Sequence, residues 1–184
     1  MNAPPSPSPS DPDLWVSWED YHHKIEQLAA LIARSQWSFD TILCIARGGL
    51  RVGDILSRIY NKPLGILAAQ SYGGSGAEKR DRGDLQLSTS LAMVGDRLGP
   101  AVLLVDDLAD SGQTLNKVKQ YLEGYYHEDI KSLRTATLWC KACSSFTPDY
   151  YVDFLAHNPW IHQPFERYDN GNGAESFLRD RRQP

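Results

Sequence analysis

The sequence predicts an α/β protein: a mainly parallel central sheet flanked by helices. Three observations carry that expectation. Short apolar runs rich in β-branched residues, such as AVLLV at 101–105, have the length and composition of strands buried on both faces. Stretches with apolar residues at helical spacing alternate with those runs, and such alternation reads as successive βαβ units. Arg47, Asp106 and Lys141 each follow a run directly, at the carboxyl rim where parallel sheets bind ligands.

The 184 residues suit one domain with a sizeable core. Residues 1–13, MNAPPSPSPSDPD, are too rich in Pro and Ser to build a core and predict a disordered tail. They lack the basic start and apolar centre of a signal peptide. Ser17 with Asp20 three residues on resembles a capping box. Tyr21, Ile25, Leu28 and Ile32 then repeat at helical spacing, so a first amphipathic helix is expected. Residues 39–46, FDTILCIA, read as a buried strand leading into Arg47-Gly48-Gly49. A helix with Val52, Ile55, Leu56 and Ile59 on one side follows, broken at Asn61-Lys62-Pro63.

Residues 64–69 are the next strand. Residues 72–84, YGGSGAEKRDRGD, are Gly-rich and then densely charged, which suits a mobile lid. The following LQLSTSL alternates like the arm of a hairpin. After the 101–105 strand the chain turns abruptly polar: Asp106, Asp107, then Asp110, Ser111, Gly112 and Thr114, with a helical pattern beyond. Residues 133–139 and 150–155 supply two more strands. The domain is expected over 14–169, and 170–184 reads as a polar appendage with a short helix over 174–179.

A strand ending in adjacent carboxylates, followed by a small polar loop and a helix start, can hold a phosphorylated sugar. The carboxylates can bond a vicinal diol and hold Mg²⁺ through oxygen. The loop offers backbone N–H donors and a favourable dipole to a phosphate. A P-loop nucleoside triphosphatase also has a strand ending in Asp, but it needs GxxxxGK[ST] upstream, and that string is absent.

Composition narrows the alternatives. The formal net charge of −4 gives no sign of a general nucleic-acid binder. No apolar run is long enough to span a membrane. Three cysteines, Cys44, Cys140 and Cys143, fit a reducing, cytoplasmic compartment. Cys140 and Cys143 form a CxxC, but no second pair or nearby His completes a zinc set.

Residues 101–115, AVLLVDDLADSGQTL, resemble the phosphoribosyl pyrophosphate (PRPP) motif of type I phosphoribosyltransferases. The resemblance implies that family's fold, with a small C-terminal hood and a flexible lid. It implies ribose contacts from Asp106 and Asp107, with Asp107 the metal contact to Mg²⁺. Asp110 would lie near the purine N7 as the catalytic acid/base, and Ser111, Gly112, Gln113 and Thr114 would hold the 5′-phosphate. Arg47-Gly48-Gly49 matches the family's pyrophosphate loop, often formed around a non-proline cis peptide, here Ala46–Arg47. Arg82 is the expected pyrophosphate contact from the lid.

Lys141 and the segment Trp160-Ile161-His162-Gln163-Pro164-Phe165-Glu166 are similar to the purine site of the xanthine–guanine branch. There Lys141 would read O6, Trp160 would stack, Ile161 would contribute backbone and Glu166 would face the 2-position. His162 departs from the acid common at its place, and Ala142 from the Pro after the lysine. The implied function is transfer of phosphoribose from PRPP to a 6-oxopurine (xanthine, guanine or hypoxanthine) in purine salvage, with no nucleic acid or membrane partner, by a homo-oligomer. The alternatives are a phosphoribosyltransferase for another base and a PRPP-binding regulator without catalysis.

Overall fold

The computed structural model describes residues 12–71, 85–88, 90–95 and 97–169. The expected lid over 72–84 with Arg82, the segment 170–184 and nearly all of the expected tail lie outside them. The elements begin with β1 (Leu14–Trp15), α1 (Trp18–Arg34), β2 (Thr41–Ala46), α2 (Gly49–Tyr60) and β3 (Leu64–Ser71). Next come β4 (Leu85–Leu87), β5 (Ala92–Met93), β6 (Ala101–Val105), β7 (Leu108–Ala109) and α3 (Gln113–Tyr125). β8 (Ser132–Lys141), β9 (Tyr150–Leu155), β10 (Ile161–His162) and a 3₁₀ turn over Glu166–Tyr168 complete the chain.

The main sheet is parallel at its centre: β3, β2, β6 and β8 lie side by side in that order. β9 continues it in parallel beyond β8, while β4 and β5 pair antiparallel with β3. From β2 the chain reaches β3 on one side and β6 on the other. That reversal opens a crevice at the carboxyl ends of β2 and β6, where open parallel sheets take their ligands.

Alternation along β6 divides the core between the two faces. Leu103 and Val105 join Tyr21, Ile25, Leu28 and Ile32 of α1 and Val52 and Leu56 of α2. Val102 and Leu104 face the other way, onto Leu115, Val118 and Leu122 of α3. The Ser17 hydroxyl caps α1 by accepting from the Asp20 N–H at 3.0 Å and donates to the Asp20 carboxylate at 2.6 Å. Asn61, left-handed at φ 50°, ends α2, as the Asn-Lys-Pro break predicts.

Several elements differ from expectation. β3 extends two residues further, to Ser71, and among the described residues of LQLSTSL the strand is Leu85–Leu87. Lys141 is the last residue of β8 rather than the first after it. Asp13, assigned from composition to the tail, bonds His162 Nε2 through Oδ2 at 2.9 Å. It stands just before β1, which pairs in parallel with β10 and so fastens the start of the domain to the Trp160 segment.

The Tyr21 hydroxyl is fully buried and has no hydrogen-bond partner among the described residues. An unsatisfied buried hydroxyl costs about 1–3 kcal/mol. Tyr21→Phe is therefore expected to leave the melting temperature unchanged or raise it. A drop of several degrees would mean that the hydroxyl is bonded.

Candidate active site

The acidic pair does not sit on a free loop. β6 pairs Ala101 with Ser132, and β7 pairs Leu108 with Trp139, so both keep one register along β8. Between them the Asp106 N–H donates to Ala136 O at 3.1 Å, and Asp107 O accepts from the Leu138 and Trp139 amides at 3.0 and 3.3 Å. Both backbones are thus held in the ladder while both side chains stand at the crevice. Asp106 is buried and its Oδ1 accepts from the Asp107 N–H at 2.9 Å. Burial, and then the neighbouring Asp107 charge, push its carboxyl well above the usual carboxylate range. Asp107 Oδ2 accepts from Gln163 Nε2 at 2.6 Å.

Across the crevice the Ala46–Arg47 peptide is cis. Gly48 lies so close to the acids that a Cβ there would come within 2.7 Å of Asp107 Cγ. Only glycine lets this loop approach the pair. Arg47 reaches outward and donates to Asp169 Oδ1 at 3.3 Å. The Arg51 guanidinium stacks 4.4 Å from the Phe165 ring centroid.

Asp110 to Thr114 form the second half of the site. Gly112 caps α3 at φ 77°, and a Cβ there would lie 2.7 Å from Ser144 Oγ. The Ser145 N–H and hydroxyl donate to Ser111 O at 3.0 and 2.8 Å, bracing the loop. The amides opening α3 have no intrahelical partner; the Gln113 N–H makes a long 3.5 Å contact to Ser111 Oγ, and such a helix start favours an anion. Gly112→Ala is expected to destabilise the fold by about 2 kcal/mol or more, from left-handed strain and the collision together. Urea denaturation measures this; an unchanged midpoint would contradict it.

Lys141 is 6 % exposed, and its ammonium lies 3.1 Å from Asp110 Oδ1. Two residues 31 positions apart in sequence, assigned separately to O6 and N7, are therefore ion-paired. Trp160 is half exposed, and its indole Nε1 donates to Glu166 Oε2 at 3.4 Å. Burial raises the Glu166 carboxyl, against the lowering effect of the Trp160 bond. The Ile161 side chain is buried. β1 binds the carbonyls of Trp160 and His162 through the Leu14 and Val16 amides, so strand alternation turns the Ile161 C=O away from β1.

Two cavities meet at the acids. One of about 220 Å³ is enclosed by residues 106–112, Thr114 and Leu115. The other, about 650 Å³, joins Arg47, Gly48, Asp106, Asp107 and Thr114 to Glu166. Arg51, Gln163, Phe165, Tyr168 and Asp169 also line it, and none of them had been assigned a role from sequence. Gln163 and Phe165 lie inside the Trp160 segment, which was the available signal. Asp169 carried none.

No group of three His, Cys, Asp or Glu side chains among the described residues could hold a metal on its own. Two neighbouring carboxylates at the cavity, Asp106 and Asp107, nonetheless fit a hard cation such as Mg²⁺ shared with a substrate. That ion keeps most of its waters and is commonly shared between one or two carboxylates and substrate phosphates. The CxxC gives no such set: Cys140 is buried, and burial raises its thiol.

Residues 17–170 match the phosphoribosyl transferase domain family. The chain belongs to that family. This phosphoribosyl transferase is 29% identical over 160 residues to the xanthine-guanine phosphoribosyltransferase of Idiomarina loihiensis, covering 86% of this chain and 90% of the relative. It is also 29% identical over 153 residues to that of Chromohalobacter salexigens, with 82% of each covered. The purine phosphoribosyltransferase of Pyrococcus horikoshii aligns at TM-score 0.65 and 27% identity, over 84% of this chain and 94% of that one. The Helicobacter pylori xanthine-guanine-hypoxanthine enzyme shares the fold at TM-score 0.68 and 23% identity, over 91% and 99%. The phosphoribosyl transferase fold is thus the type I architecture expected from the PRPP motif.

Proposed function

We propose that this chain transfers phosphoribose from PRPP to a 6-oxopurine and releases pyrophosphate, in purine salvage. The observation that carries the reading is the Lys141–Asp110 pair at 3.1 Å. A 6-oxopurine presents O6 and N7 as adjacent groups on one edge. An ammonium donating to O6 and a carboxylate at an N7 proton must then be neighbours, as these two are. Adenine would turn its 6-amino donor toward the ammonium, which cannot accept.

In this mechanism N9 of the N7–H tautomer forms the bond to C1′ as the C1′–O bond to pyrophosphate breaks. Asp110 takes the N7 proton, and Lys141, 3.1 Å from its Oδ1, holds that carboxylate in place. Asp106 and Asp107 bind the ribose hydroxyls, the 111–114 loop holds the 5′-phosphate, and Arg47 and Gly48 face the pyrophosphate. Mg²⁺, bound at Asp107, would neutralise charge on the leaving group. Trp160, Ile161 O and Glu166 bound the base. Positioning of donor and acceptor supplies much of the acceleration.

The relatives named as xanthine-guanine enzymes support the oxopurine assignment. Three free cysteines suit a cytoplasmic setting, and no helix among the described residues is long and apolar enough to cross a membrane. A homo-oligomer goes with the same reading. Pyrophosphate release from PRPP and Mg²⁺ tests it, with xanthine, guanine, hypoxanthine, adenine, orotate and uracil supplied singly. Release with oxopurines alone is expected. PRPP binding without release would favour a regulator, and release only with another base would replace the substrate.

A further inference from the structure

We infer that Gln163 is a positioning residue of the PRPP site, holding Asp107 with its amide N–H and offering its carbonyl to an O–H donor that arrives with PRPP. The inference rests on the function proposed above and extends it to a residue of the purine-side segment. Gln163 is 8 % exposed, and Nε2 lies 2.6 Å from Asp107 Oδ2. A carboxylate cannot donate, so the nitrogen must face it and Oε1 must point elsewhere. That Oε1 is buried, accepts no hydrogen bond from the described residues, and belongs to a side chain lining the 650 Å³ cavity. Leaving such an acceptor unmet is costly, so it marks where an O–H should come.

The bond also fixes how Asp107 is presented. With Oδ2 held by Gln163, Oδ1 is turned toward Gly48, where a side chain would collide with it. Gln163 follows directly on β10, which β1 clamps in parallel. The segment that carries Trp160 and Ile161 is in this way tied to the carboxylate that meets the sugar and its metal. Two groups could supply the O–H: a ribose hydroxyl or a water on Mg²⁺.

The test compares Gln163→Met, which has similar length but neither polar atom, with Gln163→Glu, which keeps the shape but replaces the donor with an acceptor. PRPP binding is measured by calorimetry with and without Mg²⁺, beside the KM for hypoxanthine and the melting temperature. Both variants should weaken PRPP binding roughly tenfold or more, the scale of a hydrogen bond to a charged group. The KM for hypoxanthine should stay near that of the wild type, a split that a general packing defect would not give. If Gln163→Met fails to fold, Gln163→Glu decides alone. Gln163→Glu keeps an acceptor and Gln163→Met does not, so a greater loss in Gln163→Met without Mg²⁺ assigns the O–H to ribose, and a difference between the two that emerges only with Mg²⁺ assigns it to a metal-bound water. Wild-type affinity in both variants would overturn the inference while leaving the function intact. A wild-type protein that binds no PRPP would overturn both.

Discussion

Asp110→Asn should lower kcat by about 10²- to 10⁴-fold, the usual worth of a positioned general base, with PRPP affinity little changed. Asparagine keeps the shape and can still bond N7, but it cannot take the proton. The Lys141 ammonium, 3.1 Å from Asp110 Oδ1, would then face a neutral amide. Single-turnover kinetics with saturating PRPP separate the chemical step from binding. Turnover near that of the wild type would remove Asp110 from proton transfer.

The second large effect is expected at the other end of the same pair. Lys141→Met removes the donor to O6 and leaves the Asp110 carboxylate without its cation. For hypoxanthine, kcat/KM should fall roughly 10- to 100-fold, the worth of one charge-assisted hydrogen bond. Adenine, which this reading excludes through the ammonium, should lose much less, so discrimination between the two bases should narrow. Equal losses for both would make Lys141 a support for Asp110 alone. Because only one member of a largely buried pair is removed, a fall in melting temperature should accompany the change, moderated by the partial exposure of Asp110, so the kinetics are compared at a temperature where the variant is folded.

How far the site could be read in advance depended on sequence separation. Asp106 to Thr114 were legible because strand, carboxylates, loop and helix start are consecutive, and each part has its own local signature. The glycine loop was legible for the same reason: Gly48 is required by a close approach that leaves a glycine in the string. The Lys141–Asp110 pair was not, since its partners meet only after β8 aligns beside β6 and β7. Gln163 lies in a segment that the sequence singles out, yet its bond to Asp107 spans 56 positions and leaves no periodic trace.

β1 and β10 were missed because two-residue strands are too short to display a period of two. For the same reason, the sequence alone shows the two aspartates as a break after β6. The structure keeps their backbones in the ladder and lets β7 resume the register. Fold class was plain from alternation, whereas the side-chain pairs that tune the chemistry are tertiary.

The most direct test of the account is a competition between hypoxanthine and adenine at equal concentration, with limiting PRPP, Mg²⁺ and the wild-type protein. The two bases differ at position 6, which the proposal sets opposite Lys141, and in the proton on the adjoining N1. Chromatographic separation of the nucleotide products should give inosine monophosphate almost alone. Comparable yields of adenosine monophosphate would contradict the claim that the Lys141–Asp110 pair reads a 6-oxopurine edge.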